Sequence, residues 1–298
     1  MTTKNHTLDF QDHRRTLDDN RYIYAVVSRR SKGLSIGVNL NPDKVCNFDC
    51  PYCQVDRTLP GGARDVDLDR LEAELDRLLA LVAAGTLWQI PPFNTAKPEF
   101  RRVNDIAFAG DGEPTACTVF AGAVERIGRV RDRYTLSDVR LHLLTNATLF
   151  HRPRVQAGLK RLDDLGGEIW AKLDAGTDAY FQQVDGTRLP LQRILDNLLF
   201  AAKRRPIVLQ CMFMTLDGQG PSDEEIDAWA GRIAHLLRDG AMIRMIQVYS
   251  VARAPADVRV DALDVERLEH IATAARAVIT RHNADTVVQV YPGVKQGD

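Results

Sequence analysis

The chain has 298 residues, of which 45% are hydrophobic and 27% charged, so it carries enough apolar sequence to bury a large core. Its 39 basic and 40 acidic side chains give a net charge of −1, which disfavours a protein built mainly to grip a nucleic-acid backbone. No apolar run approaches the roughly 20 residues that cross a bilayer. The N-terminal stretch MTTKNHTLDFQDHRR lacks the apolar region of a secretory signal. We therefore expect a cytoplasmic protein with no membrane partner.

The cysteines support the same compartment. Five are present, an odd number, and three of them lie within eight residues. This distribution favours a reducing compartment and a metal site over a disulfide framework. Residues 1–20 read as a polar leader, and we predict that residues 21–298 form a single domain.

Predicted strands and helices alternate through the rest of the chain. The first strand, Leu34–Leu40, leads directly into the cysteines, and an apolar stripe from Leu68 to Val82 predicts the first long helix. Proline and aromatic residues then fill 86–102, which we interpret as a loop insertion. Further strands are predicted at 106–109, 139–144, 168–173, 207–214, 245–249 and 286–291, and further helices at 120–130, before Gly166, at 194–202, from a Ser222/Glu225 capping box to Gly240, and at 263–282.

This alternation is typical of parallel sheets with right-handed crossovers. It predicts an α/β fold, specifically a partial (β/α)6-type, TIM-like barrel. In such barrels the chemistry lies on the loops that follow the carboxyl ends of the strands.

The strongest motif is Cys46-Asn-Phe-Asp-Cys50-Pro-Tyr-Cys53, directly after the first predicted strand. Soft thiolates select zinc or iron–sulfur clusters. Structural zinc usually takes four ligands in two separated pairs, whereas Cys117 and Cys211 are distant and have no neighbouring Cys or His. Because cluster iron is ordinarily held by four thiolates, three cysteines favour a 4Fe–4S cluster with one iron open to an external ligand.

Polar residues also follow the next three predicted strands. Asp111-Gly-Glu-Pro-Thr115 follows the second, Leu144-Thr-Asn146 the third, and Lys172-Leu-Asp174 ends the fourth. A carboxylate can accept hydrogen bonds from an ammonium group, and a proline stiffens the turn that carries it. The barrel fold predicts that these groups form one site.

Together these motifs resemble the signature of the radical S-adenosylmethionine (SAM) superfamily. The cysteine spacing, with Tyr52 before the third cysteine, is similar to the family's cluster loop. Residues 112–114 resemble its GGEP motif, with Asp111 where glycine is commonest, and Ala147 replaces the glycine of a TNG-like turn. The resemblance implies that Glu113 binds the methionine amino group of SAM. It implies 4Fe–4S ligands Cys46, Cys50 and Cys53, and SAM-binding residues Tyr52, Gly112, Glu113, Pro114, Asn146, Lys172 and Asp174.

In that family an electron from the cluster cleaves SAM to methionine and a 5′-deoxyadenosyl radical, which abstracts hydrogen from a substrate. The resemblance therefore implies an oxygen-sensitive enzyme with an external electron donor, a flavodoxin or a ferredoxin. Sequence around Ser28–Arg30, Leu34–Leu40 and Ala171–Asp174 is similar to small radical enzymes like archaeal wyosine synthase. No motif assigns a catalytic residue that acts on the substrate, and Tyr249 and Arg253 are candidates for lining its cavity.

Several substrates stay open. A small metabolite or a nucleobase is favoured. A protein target, as in glycyl-radical activation, and tRNA modification are alternatives, and the net charge does not favour a nucleic-acid partner. From another functional class, the chain could be a non-catalytic iron–sulfur or zinc-binding redox sensor that does not bind SAM.

Overall fold

The computed structural model describes residues 20–28, 33–253 and 255–294, so most of the predicted leader, and Arg29 and Arg30, lie outside the described residues. No helix of the described residues is both long and apolar enough to cross a membrane. The single domain predicted for residues 21–298 stays a prediction. By contacts the chain divides into two compact units: unit 1 is Met1–Val45, Pro60–Leu143 and Arg154–Gly167, and unit 2 is Cys46–Leu59, Leu144–Pro153 and Glu168–Asp298.

Unit 1 is built on strands with a predominantly parallel arrangement. The first strand pairs antiparallel with the second, and the second, third and fourth are parallel in chain order. The final two residues of the fourth strand belong to unit 2. The elements are strands β1 (Ile23–Ser28), β2 (Gly33–Val38), β3 (Val103–Phe108) and β4 (Arg140–Thr145), and helices α1 (Leu68–Ala83), α2 (Phe120–Arg133) and α3 (Pro153–Asp164).

Helix α1 shows how the sequence specifies this unit. Asp67 caps its N-terminus by accepting hydrogen bonds from the amides of Asp69 and Arg70. The leucines in the middle of the predicted stripe recur at helical spacing and are buried, whereas Leu68 and Val82 at its two ends are half-buried. Glu74 lies on the same buried face, where its carboxylate accepts hydrogen bonds from the amides of residues 21, 22 and 23 at 2.8–3.1 Å. A buried carboxylate thus anchors the start of β1.

Unit 2 repeats the parallel arrangement. Its four long strands are parallel in the order β5, β6, β8, β10, and two short strands, β7 and β9, pair antiparallel beside them. The elements are strands β5 (Glu168–Lys172), β6 (Ile207–Met212), β7 (Met214–Leu216), β8 (Ile243–Tyr249), β9 (Val260–Ala262) and β10 (Val287–Tyr291), and helices α4 (Asp178–Asp185), α5 (Leu191–Ala202), α6 (Asp223–Arg238) and α7 (Val265–His282).

The α/β class and its parallel strands are therefore confirmed. One boundary differs: the strand predicted at 207–214 is two strands, because the chain leaves β6 after Met212 and pairs with β9 instead. The predicted insertion at 86–102 consists of short 3-10 turns with Leu87 and Phe93 fully buried, so it packs against the unit. Strands β1 and β9 and helix α4 were not predicted.

Candidate functional site

The three motif cysteines lie on one loop of unit 2, which we call the cysteine loop (residues 46–59). None of the three forms a disulfide; Cys50 is buried, and Cys46 and Cys53 are half-buried. The amide of Cys53 donates to the carbonyl of Cys50 at 2.9 Å, which closes a tight turn between them. Cys50 and Cys53 line a cavity of about 640 Å³, together with acidic side chains and Arg57. The loop therefore presents thiols to a space that can hold a ligand.

The end of α4 holds the cysteine loop in place. The amide of Asp49 donates to the carbonyl of Asp185 at 3.2 Å. The next residue, Gly186, has a φ of 57°, and a Cβ built there would lie 2.0 Å from the carbonyl oxygen of Asp49. Only glycine allows this approach of two backbones. The segment next to Cys50 is thus fixed by main-chain contacts.

A second brace comes from the turn after β4. Asn146 Nδ2 donates to Asn47 Oδ1 at 2.8 Å, and Asn47 Nδ2 donates to Thr148 Oγ1 at 2.6 Å. Ala147 between them has a φ of 59°, which explains why a glycine suits this position in the motif. The structure therefore brings Asn146 to the cysteine loop, where it contacts the residue after Cys46.

Tyr52 joins the predicted residues of β5 to the same loop. Its hydroxyl accepts a hydrogen bond from Lys172 Nζ at 2.8 Å and lies within donating distance of the Asp174 and Asp185 carboxylates, the latter at 3.2 Å. The Lys172 ammonium is 4.5 Å from the centroid of the Tyr52 ring, a cation–π geometry. Tyr52, Lys172 and Asp174 thus form one contiguous group, which Asp185 completes.

Electrostatics keep protons on this group. Burial raises the pKa of the Cys50 thiol, an effect that Lys172 only partly offsets, and Cys50 Sγ lies 3.5 Å from Asp185 Oδ1. Burial and the neighbouring Asp174 carboxylate raise the pKa of Asp185. Burial opposes the charged form of Lys172, but nearby Cys50 and Asp174 outweigh it and raise the pKa of its ammonium. Cys50 must therefore lose a proton before it can bind a metal.

Unit 1 carries the Asp111–Thr115 turn. Glu113 is buried, and its carboxylate accepts hydrogen bonds from the amide of Thr115 at 3.1 Å and from its hydroxyl at 2.5 Å. Pro114 begins the short 3-10 turn that Glu113 caps. The carboxylate is thereby held in one orientation.

The same turn packs closely on the residues after β2. A Cβ at Gly112 would lie 2.3 Å from the carbonyl oxygen of Val45, so glycine is required there. Asn39 donates to the Asp111 carboxylate at 2.9 Å and accepts from its amide at 3.0 Å. This reciprocal pair explains why the chain can carry aspartate where the motif usually has glycine. Asn41 Oδ1, buried beside Gly112, has no hydrogen-bond partner among the described residues.

The residues fit a cluster in the chemistry of their donors. Three free thiols on one short loop are the soft ligands that iron–sulfur clusters take. Among the described residues, no three Cys, His, Asp or Glu side chains gather around one metal-ion position. A 4Fe–4S cluster does not need three side chains to meet at one metal position, because each thiolate binds a different iron atom. Arg57 Nη1 donates a hydrogen bond to Cys53 Sγ at 3.3 Å.

Several residues of this site were missed by the sequence analysis. Asp185 lies 135 residues beyond Cys50 and Gly186 directly follows it, and nothing in their spacing links them to Cys50. An Asp-Gly pair that follows an apolar helical pattern indicates a helix C-cap, and this signal would have located the end of α4. Asn47 and Arg57 are within the motif region but have residue types common in loops.

Comparison with known proteins identifies the family. The family described as "Radical SAM superfamily" matches residues 40–233, more than half of the chain. The chain belongs to the radical SAM superfamily. These are enzymes whose cofactors are a 4Fe–4S cluster and S-adenosylmethionine, as the cysteine loop and the Asp111–Thr115 turn predict.

The radical SAM chain is also similar to other proteins in sequence and in structure. A UPF0026 protein of Helicobacter pylori is 28% identical over 179 residues, which cover 59% of this chain and 50% of that protein, so the chain spans about half the length of the relatives it matches. A structure of a spore photoproduct lyase mutant has a TM-score of 0.56 at 13% identity, and covers 91% of this chain and 80% of that one. This likeness shows the fold alone, and it agrees with the predicted α/β class. A TYW1 structure with a bound lysine–pyruvate adduct is also similar, with a TM-score of 0.49 at 13% identity and coverage of 89% and 79%.

Proposed function

We propose that this radical SAM chain holds a 4Fe–4S cluster on Cys46, Cys50 and Cys53 and abstracts hydrogen from a small metabolite or a nucleobase. The observation that carries the proposal is the cysteine loop, whose three free thiols are fixed by backbone contacts to Gly186 and by the Asn47–Asn146 hydrogen bond. When bound, the cluster supplies the electron that cleaves SAM to methionine and a 5′-deoxyadenosyl radical.

The residues around the loop prepare the thiols for that ligand. Cys50 gives up its proton on binding iron, and the neighbouring Lys172 ammonium stabilises the resulting thiolate. Arg57 donates a charge-assisted hydrogen bond to the Cys53 sulfur. The main-chain contacts between Asp49 and the end of α4 keep the loop from rearranging.

For SAM we propose the residues that the motifs predict: Tyr52, Gly112, Glu113, Pro114, Asn146, Lys172 and Asp174. The fixed Glu113 carboxylate suits the methionine ammonium group, because it accepts hydrogen bonds and is held in one orientation. The Lys172 ammonium is the cation that suits the methionine carboxylate. Tyr52 and Asp174 keep that ammonium in place through the shared hydroxyl contact.

The electron requires a donor. We propose an external flavodoxin or ferredoxin, since the described residues include no second cysteine group beyond the loop.

The test is anaerobic reconstitution of the protein with iron and sulfide. We expect about four irons per chain and the formation of 5′-deoxyadenosine when SAM and dithionite are added. Cys50→Ala should lose both, while Cys117→Ala, a cysteine outside the loop, should keep both. A fully loaded cluster that yields no 5′-deoxyadenosine would instead support a non-catalytic redox sensor and refute the proposal.

A further inference from the structure

A row of glutamines crosses the sheet of unit 2. Gln210 of β6 is paired in register with Gln247 of β8, which is paired in register with Gln289 of β10. On the other side of Gln210, the register partner is Lys172 of β5. Residues that pair in register lie on the same side of a sheet, so the three amides form a continuous line. We call Gln210, Gln247 and Gln289 the glutamine row.

The two faces of this sheet differ in chemistry. On one face the side chains are apolar and fully buried, such as Leu209 and Val248. On the other, the glutamine row is followed one pair later by Tyr249 and Tyr291, which are paired in register and half-buried. The side chains of the first face are those expected of a hydrophobic core. On this second face the two tyrosines and Gln289 are half-buried, whereas Gln210 and Gln247 are buried. A combination of polar and aromatic groups is typical of ligand-binding surfaces.

Among the described residues, the hydrogen bonds of Gln210 and Gln247 leave donors and acceptors unused, whereas Gln289 Oε1 accepts a hydrogen bond from the Tyr291 hydroxyl. A glutamine amide has two donor hydrogens and two acceptor lone pairs. Gln210 Nε2 donates to Gln247 Oε1 at 3.2 Å, and Gln247 Nε2 donates to the thioether sulfur of Met245 at 3.6 Å, a weak acceptor. Gln210 is 7% exposed and Gln247 only 3%. Burying amides with such partners costs stability, and a ligand that completes their hydrogen bonds would recover it.

The charges beside the row are already engaged. At one end the Lys172 ammonium is hydrogen-bonded to the Tyr52 hydroxyl. Near the N-terminal ends of β8 and β5, Arg244 forms an ion pair with Glu168 at 2.6 Å, and the Trp170 indole donates a hydrogen bond to the same carboxylate at 3.0 Å. The row itself is uncharged. Because Lys172 is assigned to the methionine carboxylate of SAM, the described residues of the row offer no further cation to an anionic ligand such as a phosphate, whereas an uncharged ligand would match the amides.

From this arrangement we infer that the glutamine row, with Tyr249 and Tyr291, is the substrate-binding surface, and that it selects an uncharged planar ring with a cyclic amide edge, the edge of uracil or guanine. A carboxamide pairs with such an edge through one donor and one acceptor, and tyrosine rings contact its faces. The inference rests on the proposed function, because it names the substrate class of that reaction.

The test measures binding separately from SAM cleavage. Cluster-loaded protein with SAM is titrated anaerobically, by calorimetry, with uridine and with 3-methyluridine, which lacks the ring N–H. We expect uridine to bind at least tenfold more tightly than 3-methyluridine, and Gln247→Leu to weaken uridine binding at least tenfold. Gln192→Leu, an exposed glutamine of α5, is the matched control and should bind uridine like the wild type. If Gln247→Leu fails to fold, Gln247→Met keeps the length and apolar stem of the side chain.

A third probe separates the two sources of such a ring. Tighter binding of an eight-residue uridine oligonucleotide than of uridine would place the ring in RNA, and equal binding would place it in a free nucleoside. Equal affinity of the wild type for uridine and 3-methyluridine, or no binding of either, would overturn the inference. Failure of the proposed function is recognised independently, as a loaded wild-type protein that does not form 5′-deoxyadenosine.

Discussion

Replacing Gly186 with alanine tests whether the end of α4 fixes the cysteine loop. The new Cβ would lie 2.0 Å from the carbonyl oxygen of Asp49, and the backbone of neither residue can move without breaking the hydrogen bond from the Asp49 amide to the Asp185 carbonyl. Alanine at a φ of 57° costs about 1–2 kcal/mol, and the steric overlap adds about 1–3 kcal/mol. We expect Gly186→Ala to lower the free energy of unfolding by about 2–5 kcal/mol.

Gly218 provides the matched control within the same unit. It also has a positive φ, 76°, but a Cβ there would meet nothing within 4 Å. Gly218→Ala should therefore cost only the backbone term, about 1–2 kcal/mol. Both substitutions restrict the unfolded chain equally, so the difference between them isolates the contact with the loop.

The assay has two parts. Urea denaturation of the cluster-free variants, followed by circular dichroism, gives the free energies, and iron analysis after anaerobic reconstitution reports on the loop. Gly186→Ala should bind less iron than Gly218→Ala, because a displaced Asp49 moves the adjacent Cys50. Equal destabilisation and equal iron content in the two variants would refute the claim that α4 positions the cysteines.

Two further predictions concern charged groups. Arg57→Gln should lower the reduction potential of the cluster, because a cationic donor to the Cys53 sulfur stabilises the more negative reduced state. A redox titration followed by electron paramagnetic resonance measures this potential. An unchanged potential would show that the contact between Arg57 and Cys53 does not affect the cluster. Hydrogen bonds from Arg126, and secondarily from Arg133, hold the pKa of Glu72 in the folded protein below its usual value. The Glu72 carboxylate therefore stabilises the fold at a pH above its usual pKa, and this stabilisation is lost as the pH falls through the lowered pKa. Between about pH 5 and pH 3 the wild type should lose more stability in urea denaturation than Glu72→Gln, and parallel losses would contradict this.

The sequence predicted those parts of the fold that depend on local patterns. The apolar stripe of α1 and the glycines after α3 and α6 determine the elements they occupy, because helical spacing and left-handed caps are local properties. The Ser222/Glu225 capping box was only half correct. Ser222 caps α6 as predicted, but the Glu225 carboxylate accepts hydrogen bonds from the amides of Gly176 and Thr177 after β5.

The site divides in the same way. The cysteine motif and the Asp111–Thr115 turn are each made of residues close together in sequence, so the sequence alone predicted the family from them. Asp185 meets Cys50, and Gln210 meets Gln247, only through chain topology and strand register. A single polar residue on a predicted strand does not show its register partners, so the glutamine row was not predicted.

The central claim is that one iron of the cluster has no protein ligand and receives SAM. Mössbauer spectroscopy of the reconstituted, iron-57-enriched protein tests this directly. We expect four irons, of which one changes its signal when SAM is added, while the three bound by Cys46, Cys50 and Cys53 do not. Four irons that are all unaffected by SAM would contradict it.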